Sequence, residues 1–395
     1  MKKKVLSILL AATFTVSMFA GCGNSNTTAK DDSAAKTEDT ADDAAEEETK
    51  DDAATEDTAS DGDFNITVNL ASEPMTMDPA LNSSVDGAIM ALHLFEGLMK
   101  WEDSGEVANG TDGTADSGKL VPGQAESYEK TENDDGTVTY TFKLRDGIKW
   151  SDGKDVTAGD FEYSWKRLVN PETAADYCYM IDMVKGYAEV ADGSADPDTL
   201  GIKATDDTTL QIDLTYDCPY FEEIMAFPAT FPVRKDMVEG SENWTFDPAT
   251  YISNGPYKMK EWSHNSYILM EKNENYYDYE NLGPDTIKFA LLDDNNAILK
   301  GYNNGELDFI ENLPVDEVAT YLASGELNIA DYIGTYYVCF NTENEVFSDP
   351  AIRKAFSLVI DRNYIVDNVT QSGEVPATGY VPSGIYDADG ASGDD

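Results

Sequence analysis

The chain is 395 residues long, more than one ordinary hydrophobic core accommodates, so two or more lobes are expected. Its 76 acidic residues against 27 basic ones give a formal net charge of −49, which would repel a phosphate backbone and sets nucleic acid aside as a partner. With 41% apolar and 11% aromatic residues there is material for a substantial core, so disorder is expected only locally.

Residues 1–22 read as an export signal. Lys2, Lys3 and Lys4 precede an apolar run from Val5 to Phe19, shorter than the roughly 20 residues a spanning helix needs. Ala20 and Gly21 before Cys22 look like a bacterial lipobox, which makes Cys22 the expected lipidation site and the lipid the membrane anchor. Residues 23–63 form an acidic tether. From Asn24 to Asp63 there are 15 Asp/Glu, 3 Lys and no aromatic residue, too little apolar surface to offset the entropy of ordering.

Folded structure is expected from Phe64, where Ile66, Val68 and Leu70 alternate as in a strand. Ser72-Glu73-Pro74 ends that strand. After a polar linker from Asn82 to Asp86, Ile89, Leu92, Phe95 and Leu98 predict a helix. Trp101 to Leu120 is rich in Gly and Asp. Its Asp103, Asn109, Asp112 and Asp116 lack the spacing of an EF-hand, and Gly113 to Leu120 misses a phosphate loop because Leu120 follows Lys119. Val138, Tyr140, Phe142 and Leu144 alternate with Thr139, Thr141, Lys143 and Arg145 as a half-buried strand, and Asp146-Gly147 turns the chain. Thr157 and Asp160 then make a capping-box variant, opening a helix that carries Phe161, Trp165 and Leu168 on one face and stops at Pro171.

Further on, the pattern predicts a helical region from Ala174 to Ala191 and a strand from Thr209 to Leu214. Tyr220 to Phe227 is an apolar, aromatic stretch among Pro219, Pro228 and Pro232. Tyr267 to Glu271 and Thr286 to Leu292 read as strands. Asn295 to Asn303 followed by Gly305 to Phe309 reads as a helix-turn-strand unit of the α/β kind. Extended segments are expected from Ile329 to Phe340, and an amphipathic helix from Ala351 to Asp361 with Ile352, Ala355, Phe356 and Val359 inward.

Four cysteines, Cys22, Cys178, Cys218 and Cys339, contain no close pair, and His93 and His264 are the only histidines, so no zinc site is expected. With Cys22 modified, at most one disulfide can form and one thiol is left over. There is no GxSxG, no cysteine with a local histidine motif and no metal-binding cluster, which points to binding without catalysis.

The run Lys149-Trp150-Ser151-Asp152-Gly153, with Val156-Thr157-Ala158 and Asp160 to Trp165 after it, resembles the extracellular solute-binding proteins of family 5. Ser72-Glu73-Pro74 with Asp78-Pro79, Leu94 to Leu98, Ser253 to Tyr257, Gly305 to Asp308 and Gly334 to Tyr337 follow in the family's order, from about Phe64 to about Ile385. The resemblance implies a two-lobed α/β fold of the periplasmic-binding-protein type II kind with an additional subdomain. Lobe I would take residues 64–82 and 200–330, the subdomain 83–199, and the second lobe would begin at residue 331 and be incomplete, the chain being C-terminally truncated.

The implied function is capture of oligopeptides outside the cytoplasm and their delivery to the permease of an ABC importer by hinge closure, with no cofactor. By the same resemblance, main-chain groups of Ser83, Ser84 and Val85 would pair with the peptide, and Tyr177, Asn312, Tyr332 and Tyr337 would line the cleft. Phe227 stands where one family member carries histidine, and Gly334 where it carries a half-cystine. Two alternatives remain at this stage: a family 5 receptor for another solute, such as an oligosaccharide, or a surface adhesion protein.

Overall fold

Val138, Tyr140, Phe142 and Leu144 all point into the core, and the strand they form pairs on both sides, which makes it the spine of the largest packed region. The computed structural model describes residues 64–103, 118–241, 243–329, 332–382 and 385. Cys22, the export signal, the acidic tether and the insert containing Asn109, Asp112 and Asp116 lie outside the described residues.

Among the described residues ten strands form three sheets: β1 (Asn65–Leu70), β2 (Met99–Asp103), β3 (Gly118–Pro122), β4 (Ala125–Glu132), β5 (Val138–Leu144), β6 (Ile202–Asp206), β7 (Thr209–Leu214), β8 (Tyr257–Ser263), β9 (Tyr267–Lys272) and β10 (Thr286–Leu291). The first sheet has the order β1-β10-β9-β8, with β1 and β10 parallel and the remaining pairs antiparallel. The antiparallel second sheet runs β4-β5-β7-β6, and β2 with β3 forms a separate hairpin. Strands β6 and β7 are therefore hydrogen-bonded to β4 and β5, and this sheet runs past the division expected between residues 199 and 200.

The longer helices are α1 (Val85–Leu94), α2 (Ala158–Val169), α3 (Asn295–Asn303), α4 (Val315–Ser324) and α5 (Pro350–Val359). Helix α2 opens as its sequence predicts. The Asp160 carboxylate accepts from the Thr157 N–H at 2.8 Å and from the Thr157 hydroxyl at 3.1 Å. Phe161, Trp165 and Leu168 are then fully buried against the second sheet and the turn at Pro228. Burying three such side chains contributes on the order of 1.5–3 kcal/mol each.

Four expectations change. Helix α1 ends at Leu94 and buries Met90, Ala91 and Leu94, while Leu92 is 50% exposed; Phe95 and Leu98 reach the core from the extended chain that follows. The helical region from Ala174 to Ala191 is two short pieces, Cys178–Ile181 and Tyr187–Ala191, because Gly186 sits at φ 82° between them. The strand expected at Gly305 to Phe309 is a single bridge, Phe309 to Val68, and none of the described residues from Tyr332 to Phe340 pairs as a strand. Helix α5 forms, but its apolar face is not inward: Val359 is 79% exposed, and Phe356, 46% exposed, has its ring beside those of Phe340 and Phe347. Beyond Val318 none of the described residues is buried. Cys178, Cys218 and Cys339 are all free thiols.

One buried polar joint ties the elements together. Asn254 donates to the Glu96 carbonyl at 2.9 Å and accepts from the Glu96 N–H at 3.2 Å. Gly255 N–H donates to the Leu94 carbonyl (2.8 Å), and Asn273 donates to the Gly255 carbonyl (2.9 Å). Ser151 N–H donates to the Ser253 carbonyl (2.7 Å), and Asn275 donates to the Ser151 carbonyl (3.1 Å). The Glu96 carboxylate accepts from Gln124 at 2.9 Å and from the Tyr276 hydroxyl. Burial raises the Glu96 carboxyl above its ordinary value of 4.5, although Tyr276, Lys100 and Gln124 each pull it back.

Two outcomes follow. Asn254→Ala strands two buried backbone groups of Glu96, and urea denaturation is expected to show a loss of about 3 kcal/mol. Because the folded chain holds the Glu96 proton more tightly than the unfolded one, that contribution is complete below about pH 4.5 and is lost as pH rises through the raised folded value. Glu96→Gln cannot titrate, so its stability relative to the parent chain should improve from pH 4 toward pH 8. A difference that stays flat with pH would exclude this assignment.

Candidate functional site

Buried side chains of helix α2 fix one wall of the site. The Trp165 indole N–H donates to the Thr230 carbonyl at 3.0 Å, and the Ser164 hydroxyl oxygen accepts from the Val233 N–H at 2.7 Å. The Thr230 hydroxyl lies 2.8 Å from the Phe227 carbonyl and 3.0 Å from that of Ile224, closing the turn from Phe227 to Thr230. Phe227 stands edge-on to Tyr177, with ring centroids 5.3 Å apart and planes at 86°.

The opposite wall is the start of α1, and α2 fixes that as well. Arg167 holds the buried Asp78 carboxylate through two nitrogens, at 3.0 and 2.5 Å. Such a paired charge is retained in the interior only because both oxygens are satisfied. The Asp78 carbonyl then accepts from the Asn82 N–H at 3.0 Å. Asn82 in turn folds the next residues into an Asx turn: its Oδ1 accepts from the Ser84 N–H (3.2 Å) and hydroxyl (3.0 Å), and its Nδ2 donates to the Ser84 carbonyl (3.0 Å). Ser84 caps α1 by accepting from the Gly87 N–H at 3.2 Å. A Cβ on Gly87 would stand 2.0 Å from Asn82 Oδ1, so only glycine admits this turn.

Between the walls lies a compartment of about 140 Å³ lined by Asn82, Ser83, Ser84, Val85, Ala88, Tyr177, Phe227, Pro228 and Ala229. Ser83 is exposed at its edge, and its backbone N–H and C=O carry no hydrogen bond to a described residue. Ser84 beside it is extended, at φ −112° and ψ 153°. An extended guest could add to this edge as a strand does, with a side chain entering the compartment.

The structure thus brings Ser83, Ser84, Val85 and Tyr177 together at one cleft. It leaves Asn312, Tyr332 and Tyr337 outside that compartment: Asn312 is an exposed loop residue, Tyr332 is 89% exposed, and Tyr337 is 57% exposed with its ring 5.1 Å from Tyr380. A hydrogen bond with Tyr380 holds the Tyr337 phenol above its ordinary range. The sequence reading did not assign Phe227, Pro228 and Ala229 to the site, although the aromatic stretch broken by proline was visible there. His93 packs edge-on against Phe289, its Nδ1 lies 2.8 Å from the Ile89 carbonyl that accepts from it, and burial lowers its basicity. Among the described residues no group of three His, Cys, Asp or Glu is disposed to hold a metal ion.

This arrangement sets main-chain groups of Ser83 beside an uncharged compartment. Residues 119–395 match the family model for bacterial extracellular solute-binding proteins, family 5, and the chain belongs to that family. Members are solute receptors and not enzymes, and the fold is that of the two-lobed α/β periplasmic binding proteins. The oligopeptide-binding protein OppA of Bacillus subtilis is 34% identical over 327 residues, which are 81% of this chain and 57% of that one. A probable deoxycholate-binding periplasmic protein of Escherichia coli is 33% identical over 319 residues, 80% of this chain and 56% of the relative. The crystal structure of Haemophilus influenzae OppA in complex with the peptide RPPGFSPFR superposes with a TM-score of 0.75 at 31% identity, covering 82% of this chain and 61% of that one. The chain spans somewhat over half the length of the curated relatives it matches.

Gly87→Ala tests whether the Asx turn shapes the cleft. The new methyl displaces Asn82, so a loss of stability of about 1–3 kcal/mol is expected in thermal or urea unfolding, together with weakened ligand binding. Ser84→Ala should cost about 1 kcal/mol through the lost cap and leave the turn in place.

Proposed function

We propose that this chain captures oligopeptides on the extracytoplasmic side of a bacterial membrane and delivers them to the permease of an ABC importer, held to the membrane by a lipid on Cys22. The observation that carries the peptide reading is the free backbone N–H and C=O of Ser83 on an extended edge, directly beside a side-chain compartment. Peptides of varied sequence share only their main chain, so a receptor for them has to grip amide groups. The relatives that print peptide as their ligand support this reading.

In this proposal the peptide docks along Ser83 to Val85 and Tyr177. Closure of the hinge then brings the lobe that begins at residue 331 over it, with the exposed phenols of Tyr332 and Tyr337 and the amide of Asn312 completing the cleft. The closed state gains contacts that the open one lacks, which is what lets the ligand shift the equilibrium and the permease read it. The small residues before Cys22 and the short apolar run ahead of them support the lipid anchor, and the acidic tether gives the receptor reach from the surface.

A second reading has one observation in its favour. The uncharged lining of the compartment and the deoxycholate-binding relative fit an apolar solute. Thermal-shift measurements on the full-length protein with tri-alanine and with deoxycholate separate the two. Stabilisation by tri-alanine, with contraction in small-angle scattering, is the expected outcome, and a shift with deoxycholate alone would overturn the peptide reading.

A further inference from the structure

We infer that the compartment between α1 and the Phe227 turn selects one apolar side chain of a bound peptide, of about leucine to phenylalanine size, and rejects a charged one; this rests on the peptide reading above. The compartment is lined by Val85, Ala88, Tyr177, Phe227, Pro228 and Ala229 together with Asn82, Ser83 and Ser84, and among the described residues no charged one lines it. Of the carboxylates in the adjoining sequence, Asp78 is paired with Arg167, Asp86 accepts from the Ser72 hydroxyl, and Asp176 is exposed beside Tyr177; none of the three is in the lining. A lysine or glutamate side chain entering here would lose its hydration and find no opposite charge to pair with.

Size narrows the class further. The volume of about 140 Å³ is close to that of an apolar protein cavity, roughly 150 Å³, that accepts a benzene ring. Alanine would leave it largely empty, whereas a leucine or phenylalanine side chain would occupy it. Rigidity makes the limit effective, because the Phe227 turn is fixed by Thr230 and Trp165 and the facing wall by Asn82 and Ser84. In an extended guest successive side chains point to opposite sides, so a residue placed here leaves both neighbours facing away. Selection therefore acts at one position of the peptide while the adjoining positions stay tolerant.

Calorimetry on the full-length protein with tri-alanine and its nine single replacements by Leu, Lys or Glu reads this directly. At one position Leu is expected to bind at least about tenfold more tightly than Lys or Glu, with the other two positions level within about threefold. Lys or Glu accepted as well as Leu at every position, or an apolar preference at all three, overturns the inference while leaving peptide capture standing. Failure of all ten peptides to bind removes the peptide reading and this inference with it.

Two variants place the selection in this compartment. Phe227→Ala should lower the Leu-to-Lys ratio about tenfold at that position. Ala88→Asp supplies the missing charge and should bring Lys level with Leu at the same position. Selection that persists unchanged in both variants would assign it to another part of the protein.

Discussion

The joint at Ser253-Asn254-Gly255 is the constraint on which the rest depends. It lies where three chain segments meet, and each brings backbone groups that no strand or helix satisfies: the exit of α1 at Leu94 and Glu96, the turn at Ser151, and the approach to β8. Left unpaired in the interior, such groups would cost about 1–3 kcal/mol each. Asn254 and Asn273 satisfy them with amide side chains that both donate and accept, which an apolar residue of the same size cannot do. Packing of the first sheet against α1 thus rests on hydrogen bonds as much as on burial.

From that joint the geometry passes outward to the cleft through α2. One face of α2 is hydrophobic and docks on the second sheet. The helix also acts on two separate loops, Ser164 and the indole N–H of the buried Trp165 on the turn from Phe227 to Val233, and Arg167 on Asp78. Both walls of the binding compartment are therefore referenced to a single rigid helix. The exposed backbone at Ser83 owes its position to a chain of contacts from Arg167 through Asp78 and Asn82 to Ser84. The cleft keeps its shape through the polar groups of Asn82 and Ser84, while the main chain of Ser83 makes no hydrogen bond to a described residue.

Family-specific residues consequently divide by role. Ser253 to Gly255, Asp78 and the Ser164-Trp165 pair are buried or half-buried and hydrogen-bonded within the chain, so they shape the site without lining it. Phe227, Val85 and Ala88 touch the compartment and carry its chemistry. Two chains with the same motifs can therefore share a frame and differ in the side chains they accept.

Local pattern was enough for β5, β7, β10, α2 and α3, because alternation and capping are properties of a few neighbouring residues: Asp160 needs only Thr157, and Phe142 only its own strand. The resemblance to family 5 also named Ser83, Ser84, Val85 and Tyr177, which the fold gathers at one cleft. Tertiary structure alone decided the rest. Helix α1 stops at Leu94 because Gly255 and Asn254, some 158 residues away in sequence, claim the backbone at its end. The strands β6 and β7 join β4 and β5 through hydrogen bonds that no local pattern specifies, and Phe227 faces Tyr177 only because Trp165 and Thr230 hold its turn. Sequence determined which residues are suited to each element; the pairing of distant backbone groups, which must all be satisfied at once, determined where the elements end and which of them meet.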